Sequence, residues 1–213
     1  MRRLVRYILV FMGFVPMSLG LALMLRSGLG MGPWGAFEQG LVRMTGITFG
    51  RAAQLVGLVL IVLAWMMRIR PTLVTVLNMV FIGVFSDWFL ARIPAPNDPL
   101  LQAAALVLGL VVYSAGVGEY LWVNLGAGPR EAVMLGLSRV AGWSIRAARV
   151  TIDLTVLVLA WFMKGPIGVG TVTFALLSGP LIQFFLRWMQ AAWGADGVPA
   201  IRRSIRQARQ ERS

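Results

Sequence analysis

The sequence predicts an all-α fold, a polytopic membrane bundle of six transmembrane helices arranged as two inverted three-helix repeats. Three observations lead to this prediction. The composition is too apolar for a water-soluble globule, the apolar residues form six long runs, and the second half of the chain repeats the first. Each repeat also contains a short, non-spanning helix directly after a Gly-x-Gly-Pro turn.

Lipid is the solvent that suits the composition of this chain. Of its 213 residues, 58% are hydrophobic and 13% are charged, and the mean hydropathy is +0.78. A soluble domain carries roughly 25% charged residues. Cysteine and histidine are both absent, which excludes disulfides and removes the thiol and imidazole groups used in catalysis and zinc binding. We therefore expect no enzymatic activity, no cofactor and no metal site.

Six apolar runs are long enough to be membrane spans. A helix needs about 20 mostly apolar residues to cross roughly 30 Å of hydrocarbon. Because the bilayer core offers no water to backbone groups, these runs should be helical. The first run follows a basic start but is too long for a signal peptide, so it is interpreted as a retained helix. The predicted spans are Leu4–Leu25, Arg51–Met67, Thr72–Ala91, Leu100–Val123, Ile145–Met163 and Gly170–Trp188.

The chain repeats itself at an interval of 96 residues. Val10–Leu90 aligns with Leu106–Leu186 without a gap, and roughly 26 of the 81 aligned positions are identical. The stretch LGMGPWGAF at 29–37 matches LGAGPREAV at 125–133, and VLAWMM at 62–67 matches VLAWFM at 158–163. We therefore divide the chain into a first transmembrane repeat at 1–93, an external linker at 94–99, a second transmembrane repeat at 100–190 and a basic cytoplasmic tail at 191–213.

A Gly-x-Gly-Pro turn opens the short helix of each repeat. Glycine permits unusual φ angles, and proline suits the first turn of a helix. The segment that follows has about 12 residues, which is too short to span, so it is either interfacial or re-entrant. Since each repeat then crosses three times, an odd number, the second copy must be inverted relative to the first. The turn residues are Gly30, Gly32, Pro33, Gly126, Gly128 and Pro129.

The distribution of positive charge predicts the orientation. With the N-terminus in the cytoplasm, 15 of the 20 Lys and Arg residues fall on the cytoplasmic side, as the positive-inside rule requires. Both termini are then cytoplasmic. The net charge of +12 reports this orientation and contact with anionic headgroups. We expect the lipid bilayer, and not a nucleic acid, as the partner.

Differences between the two repeats indicate where a site lies. Five charged residues of the second repeat replace apolar or small residues of the first, namely Glu119, Arg130, Arg146, Arg149 and Asp153. Arg149 and Asp153 share one helix face, and a carboxylate near mid-membrane should face the bundle or a wet cavity. A structural ion pair that locks the fifth helix is the alternative. The predicted substrate-binding residues are Arg130, Arg149, Asp153, Glu119 and Glu131.

Three motifs are shared with a known family. They are the pair LGxGPW and LGxGPRE, the run SIRAARVTIDL, and GxxGVGTVTFALLSGPLIQ at 165–183. On these residues the chain resembles the YczE/YyaS/YitT family of small bacterial integral membrane proteins, from Leu4 to about Leu186. The resemblance implies a protein of the cytoplasmic membrane but supplies no substrate. Glu131 and Asp153 fit the acidic positions that are typical of the family.

The inverted repeat, the interrupted helices and the charged cluster predict a small secondary transporter or exporter. Arginines near a helix N-terminus favour an anionic or carboxylate-bearing solute, and the protein would work as one chain or as a homodimer. The alternative is a non-transporting membrane partner that modulates another membrane or biosynthetic complex through its basic tail. An intramembrane enzyme is a third hypothesis, which is disfavoured because no serine lies beside a plausible base.

Overall fold

The computed structural model describes residues 3–193, and within this range all regular structure is helical. The basic tail predicted at 191–213 lies outside the described residues from position 194 onward. Eight helices are described: α1 Arg3–Ser27, α2 Pro33–Thr45, α3 Phe49–Met66, α4 Leu73–Leu90, α5 Pro99–Val123, α6 Pro129–Ala141, α7 Ile145–Phe162 and α8 Val169–Trp193.

The helix boundaries follow the sequence repeat. The starting residues of α5, α6, α7 and α8 each lie 96 positions after those of α1, α2, α3 and α4. Both short helices begin with a proline, after Gly32 or Gly128, and both end at a glycine in the left-handed conformation, Gly46 or Gly142. Proline cannot continue a preceding helix and glycine accepts positive φ without strain, so the same local chemistry sets both pairs of ends.

Five of the described helices are long and apolar enough to cross a membrane, namely α1, α3, α4, α5 and α8. The prediction of six spans is therefore not confirmed. The missing one coincides with α7, which has 18 residues but carries Arg146, Arg149 and Asp153. These charges make α7 too polar to qualify by composition. Large apolar side chains on the outer surface, such as Val59 and Leu176, are exposed, as expected of a multi-pass helical membrane bundle.

Helices α1 and α5 pack closely along one another. A Cβ atom on Gly20 would lie 2.5 Å from the carbonyl oxygen of Gly109, and one on Gly116 would lie 2.9 Å from that of Gly13. Such close approach between membrane helices requires small residues. Since Gly13 meets Gly116 and Gly20 meets Gly109, the two helices, which are equivalent in the repeat, run antiparallel.

The remaining helices surround this pair in a regular order. Helix α4 packs on α1, and α8 packs on α5. The short helices cross to the opposite half, because α2 packs on α7 and α6 packs on α3. Ser18 of α1 donates a hydrogen bond to the carbonyl oxygen of Ile82 on α4 at 3.3 Å, and Gly118 of α5 lies against Phe185 of α8. Each half is thus held to the other through both its long and its short helices.

One contact breaks the equivalence of the halves. Helix α3 packs along α4, where Gly50 lies against the carbonyl oxygen of Gly83 and Gln54 donates to the carbonyl oxygen of Val80 at 3.0 Å. Helices α7 and α8 do not pack along one another. Gly179, the counterpart of Gly83, has no atom within 4 Å of the position of a Cβ. A gap therefore lies between α7 and α8.

We predict unequal effects for one substitution at these two equivalent glycines. Gly83→Ala would bring a methyl group to 2.7 Å from the carbonyl oxygen of Gly50, so α3 and α4 must separate, at a cost of about 1–3 kcal/mol of unfolding free energy. Gly179→Ala meets no atom of another helix within 4 Å, so its cost should be limited to the contact of the new methyl group with the ring of Pro180 and should be clearly smaller. Unfolding of the purified protein in detergent measures both, and equal losses would contradict the asymmetry.

Candidate functional site

Two equivalent side chains meet where the short helices begin. Trp34 is the second residue of α2 and Arg130 the second residue of α6. The guanidinium of Arg130 lies over the ring of Trp34, 5.1 Å from its centroid, which is a cation–π geometry. The first turns of α2 and α6 therefore lie side by side.

Each of these two side chains also binds an acid from elsewhere in the bundle. Arg130 Nη2 donates to Glu38 Oε1 at 2.5 Å, and Trp34 Nε1 donates to Asp153 Oδ1 at 3.0 Å. The other oxygen of Asp153 lies 3.7 Å from Arg149 Nε. The result is a continuous polar chain, Arg149–Asp153–Trp34–Arg130–Glu38, which joins α7, α2 and α6.

The two ends of this polar chain differ in exposure. Only 1% of the Glu38 side chain is exposed, and its Oε2 atom is buried without a hydrogen-bond partner. By contrast, 56% of the Arg149 side chain is exposed. A buried carboxylate depends on its single partner far more than a surface one does, so Glu38 depends strongly on its ion pair with Arg130.

A cavity of about 240 Å³ lies between α7 and α8 and is named here the α7–α8 cavity. Its charged lining residues are Arg130, Glu131, Arg149 and Asp153, and most of the remaining wall is apolar, with Ile152 of α7 and Phe174 and Ile182 of α8. An apolar cavity with a few convergent polar groups is the usual form of a small-molecule site.

A second cavity of about 60 Å³, the α3–α4 cavity, lies beside Glu38. Its walls come from α3 and α4 where the first cavity uses α7 and α8, and the two share Tyr113, Arg130 and Glu131. The lining residues correspond through the repeat as Ala53 with Arg149, Val56 with Ile152, Gly57 with Asp153, Asn78 with Phe174, and Glu38 with Met134. The cavities are therefore equivalent, one enlarged and one nearly closed.

The structure brings four of the five predicted binding residues together. Arg130, Arg149, Asp153 and Glu131 all line the α7–α8 cavity. Glu119 does not join them, because it lies on the side of α5 that faces Gly13 of α1, outside the lining of both cavities. The two-residue offset from Val117, which does line the cavities, turns Glu119 to another face of the helix.

The Gly-x-Gly-Pro turns lie close to these cavities. Gly32 and Pro33 line the α7–α8 cavity, and Pro129 lines the α3–α4 cavity. Gly30 adopts a φ of +107°, which a side chain would strain. Next to it, the amide of Gly170 donates to the carbonyl oxygen of Leu29 at 2.8 Å. The first turn is thereby attached to the start of α8.

The second turn makes an equivalent attachment. The hydroxyl of Thr75, near the start of α4, donates to the carbonyl oxygen of Ala127 at 2.7 Å, and Gly126 lies against the side chain of Thr72. A Cβ on Gly128 would lie 2.5 Å from Glu131 Oε2, so the carboxylate of Glu131 packs directly against this turn. Each turn therefore couples the start of a short helix to a long helix of the other half.

Two residues of the site were missed by the sequence analysis, Glu38 and Trp34. The sequence did contain a signal for Glu38, because it is an acid of the first repeat aligned with Met134 of the second. A charge lost in the second copy therefore points to the site as well as a charge gained there. Trp34 is the repeat counterpart of Arg130, and the stacking of one on the other joins two helix starts that are distant in sequence, which no local pattern indicates.

Breaking the two ion pairs should have unequal consequences. Arg130→Met leaves Glu38 buried and unpaired, which should lower the free energy of unfolding by about 3–5 kcal/mol. Arg149→Met should cost less than about 1 kcal/mol, because Asp153 keeps its hydrogen bond from Trp34. Unfolding in detergent measures both, and Glu38→Leu combined with Arg130→Met should recover most of the loss. Equal losses for the two single variants would contradict the burial of the Arg130–Glu38 pair.

Comparison with known proteins assigns the family. The model of a family of unknown function, DUF6198, matches residues 4–187. The uncharacterized membrane protein YczE of Bacillus subtilis is 35% identical over 183 residues, 85% of each chain. An uncharacterized protein of Haemophilus influenzae is 32% identical and covers 80% of this chain and 78% of its own. YyaS of B. subtilis is 29% identical and covers 85% and 92%.

No solved structure matches the chain. The resemblance to YczE and YyaS is confirmed, and the relatives agree with the apolar helices in indicating an integral membrane protein in contact with lipid. The chain belongs to the DUF6198 family of membrane proteins.

Proposed function

We propose that the protein is a small secondary transporter that moves an anionic solute across the bacterial cytoplasmic membrane. The solute would be reached from one side through the α7–α8 cavity and from the other through the α3–α4 cavity. The observation that carries the proposal is the equivalence of these cavities, with volumes of about 240 and about 60 Å³. Alternate opening of two equivalent halves around a fixed site is the mechanism of many transporters built from repeats.

The proposal includes an inverted relation between the two halves. Antiparallel packing of the equivalent helices α1 and α5 through their glycines is what inversion of a three-span repeat requires. Helix α7 is then the sixth span. Its Arg149 and Asp153 line the α7–α8 cavity, so its charges would face the interior of the bundle while its apolar face meets lipid, which makes a polar span tolerable.

The excess of positive charge on one side supports a cytoplasmic N-terminus. In that orientation the contact of α3 with α4 closes the outer side. Asp87 strengthens this closure, since it accepts hydrogen bonds from the amide of Gly50 at 2.7 Å and from the hydroxyl of Thr48 at 2.6 Å. The gap between α7 and α8 is the corresponding opening on the cytoplasmic side. The conformation is therefore interpreted as inward-open.

The lining of the α7–α8 cavity favours an organic anion. Arg130 and Arg149 supply donors for an anionic group, their charge is balanced by Glu131 and Asp153 in the same lining, and the first turn of α2, at Pro33 and Gly35, adds the partial positive charge of a helix N-terminus. Apolar side chains form most of the remaining wall, so a solute with an apolar body and one anionic group fits best.

Access to the cavity from each side tests the proposal. Val117 lines both cavities, and the absence of native cysteine makes Val117→Cys a unique label. We expect this thiol to react with a membrane-impermeant maleimide in inside-out vesicles and to be protected in intact cells. Adding Asp87→Ala removes the outer hydrogen bonds, and labelling from outside should then increase severalfold.

Asp98→Ala provides the matched control for this experiment. Asp98 is also an acid at a helix end, where it caps α5, but it does not join α3 to α4, so its removal should not change outside labelling. A thiol that stays unreactive from both sides, or an Asp87 variant that behaves like the Asp98 variant, would contradict alternate access and leave the membrane-partner hypothesis as the better one.

A further inference from the structure

Glu38 has a binding capacity that the surrounding side chains do not use. One oxygen accepts the hydrogen bond of Arg130 at 2.5 Å, and the other, Oε2, is buried without a partner. Glu38 also lines the α3–α4 cavity. A buried carboxylate oxygen without a donor is costly. A proton on it would remove the buried charge and turn the oxygen into an O–H donor, for which a water molecule in the cavity can be the acceptor.

The charges around the cavities explain when such a proton is needed. Arg130 and Arg149 carry two positive charges, and Glu38, Glu131 and Asp153 carry three negative charges. The cluster therefore has a net charge of −1 before a solute enters. An anion added to it raises the negative charge within an apolar wall, unless one acid becomes neutral at the same time.

Among the three acids, Glu38 is the one whose neutralisation most favours the binding of an anion. Asp153 is already satisfied by Trp34 and lies next to the exposed Arg149, and Glu131 is only partly buried. Glu38, by contrast, forms an ion pair with Arg130, and Arg130 also lines the α7–α8 cavity. Removal of the charge on Glu38 frees a donor that faces the solute.

On the basis of the proposed function, we propose that Glu38 is the proton-binding site that couples transport of the anion to proton entry. A proton from water forms an O–H bond at Oε2, Glu38 becomes neutral, and its ion pair with Arg130 is broken. Arg130 then pairs with the anionic group of the solute. One proton and one monoanion cross together, so the step carries no net charge.

The surroundings of Glu38 are suited to this exchange. In the α3–α4 cavity, α3 and α4 contribute no titratable side chain, and its volume of about 60 Å³ is enough for one or two water molecules that could deliver the proton from outside. On the other side of Trp34 lie Arg149 and Asp153 of α7. The charged and titratable groups that line the cavity with Glu38 are Arg130, Glu131, Tyr113 and Tyr120.

The electrostatic potential in the α7–α8 cavity tests the proposal without knowledge of the solute. The thiol of Met134→Cys lies one helical turn from Arg130, and its rates of reaction with an anionic and a cationic methanethiosulfonate can be compared. Ionisation of the thiol cancels in the ratio of the two rates. In reconstituted protein, acidification from about pH 8 to about pH 5 should raise the ratio of the anionic to the cationic rate about tenfold, because Arg130 loses its counter-charge.

Glu38→Gln in the same background should have the raised ratio at both pH values, since the amide mimics the protonated acid. Glu119→Gln is the matched control, because Glu119 lines neither cavity, and it should behave as the parent does. Two results would overturn the proton site alone. One is a Glu38→Gln variant whose ratio of anionic to cationic rate, and its change with pH, equal those of the parent. The other is a parent protein whose ratio does not change with pH. A thiol unreactive with both reagents would instead contradict the accessible cavity and hence the proposed function.

Discussion

The close antiparallel contact of α1 with α5 is the constraint on which the rest of the structure depends. Lipid gives membrane helices no hydrophobic reason to associate, so the contact relies on backbone approach at four glycines, two on each helix. Because the two helices occupy equivalent positions in the repeat, their packing also relates the elements that follow them. It brings the first turns of α2 and α6 side by side, where Trp34 meets Arg130, and it puts an equivalent cavity on each side of this contact.

Substitutions at a few equivalent positions explain why the two cavities differ. In the first half, Gly50 and Gly57 let α3 approach α4 until Gly50 meets the backbone of Gly83 and Gly57 meets the side chain of Met79. In the second half these positions hold Arg146 and Asp153, which are too large for such an approach and need water or a partner. The same fold can thus be closed at one end and open at the other. Glycine and charge in the two copies therefore account for both the shape of the site and its polarity.

Much of the fold could be predicted from the sequence, because the signals involved are local. The repeat is visible in the sequence alone. Prolines that open the short helices and glycines that end them act on neighbouring residues, and the short helices begin and end where these residues predict. The charges of α7 were also visible in the sequence, and they are the reason that this helix does not qualify as a span. In contrast, the pairing of Glu38 with Arg130 joins residues 92 positions apart, and no periodicity encodes it. Glu119 was grouped with the site by charge alone, whereas the rotation of α5 turns it away.

Labelling of one thiol in each repeat gives the most direct test of whether the two halves are inverted. Thr45 and Ala141 occupy equivalent positions at the ends of α2 and α6, and both are exposed. Each would be replaced by cysteine in a chain that has no other thiol and treated with an impermeant maleimide in intact cells. Inversion predicts that Thr45→Cys reacts at once and that Ala141→Cys reacts only after lysis. Equal labelling of the two in intact cells would contradict it.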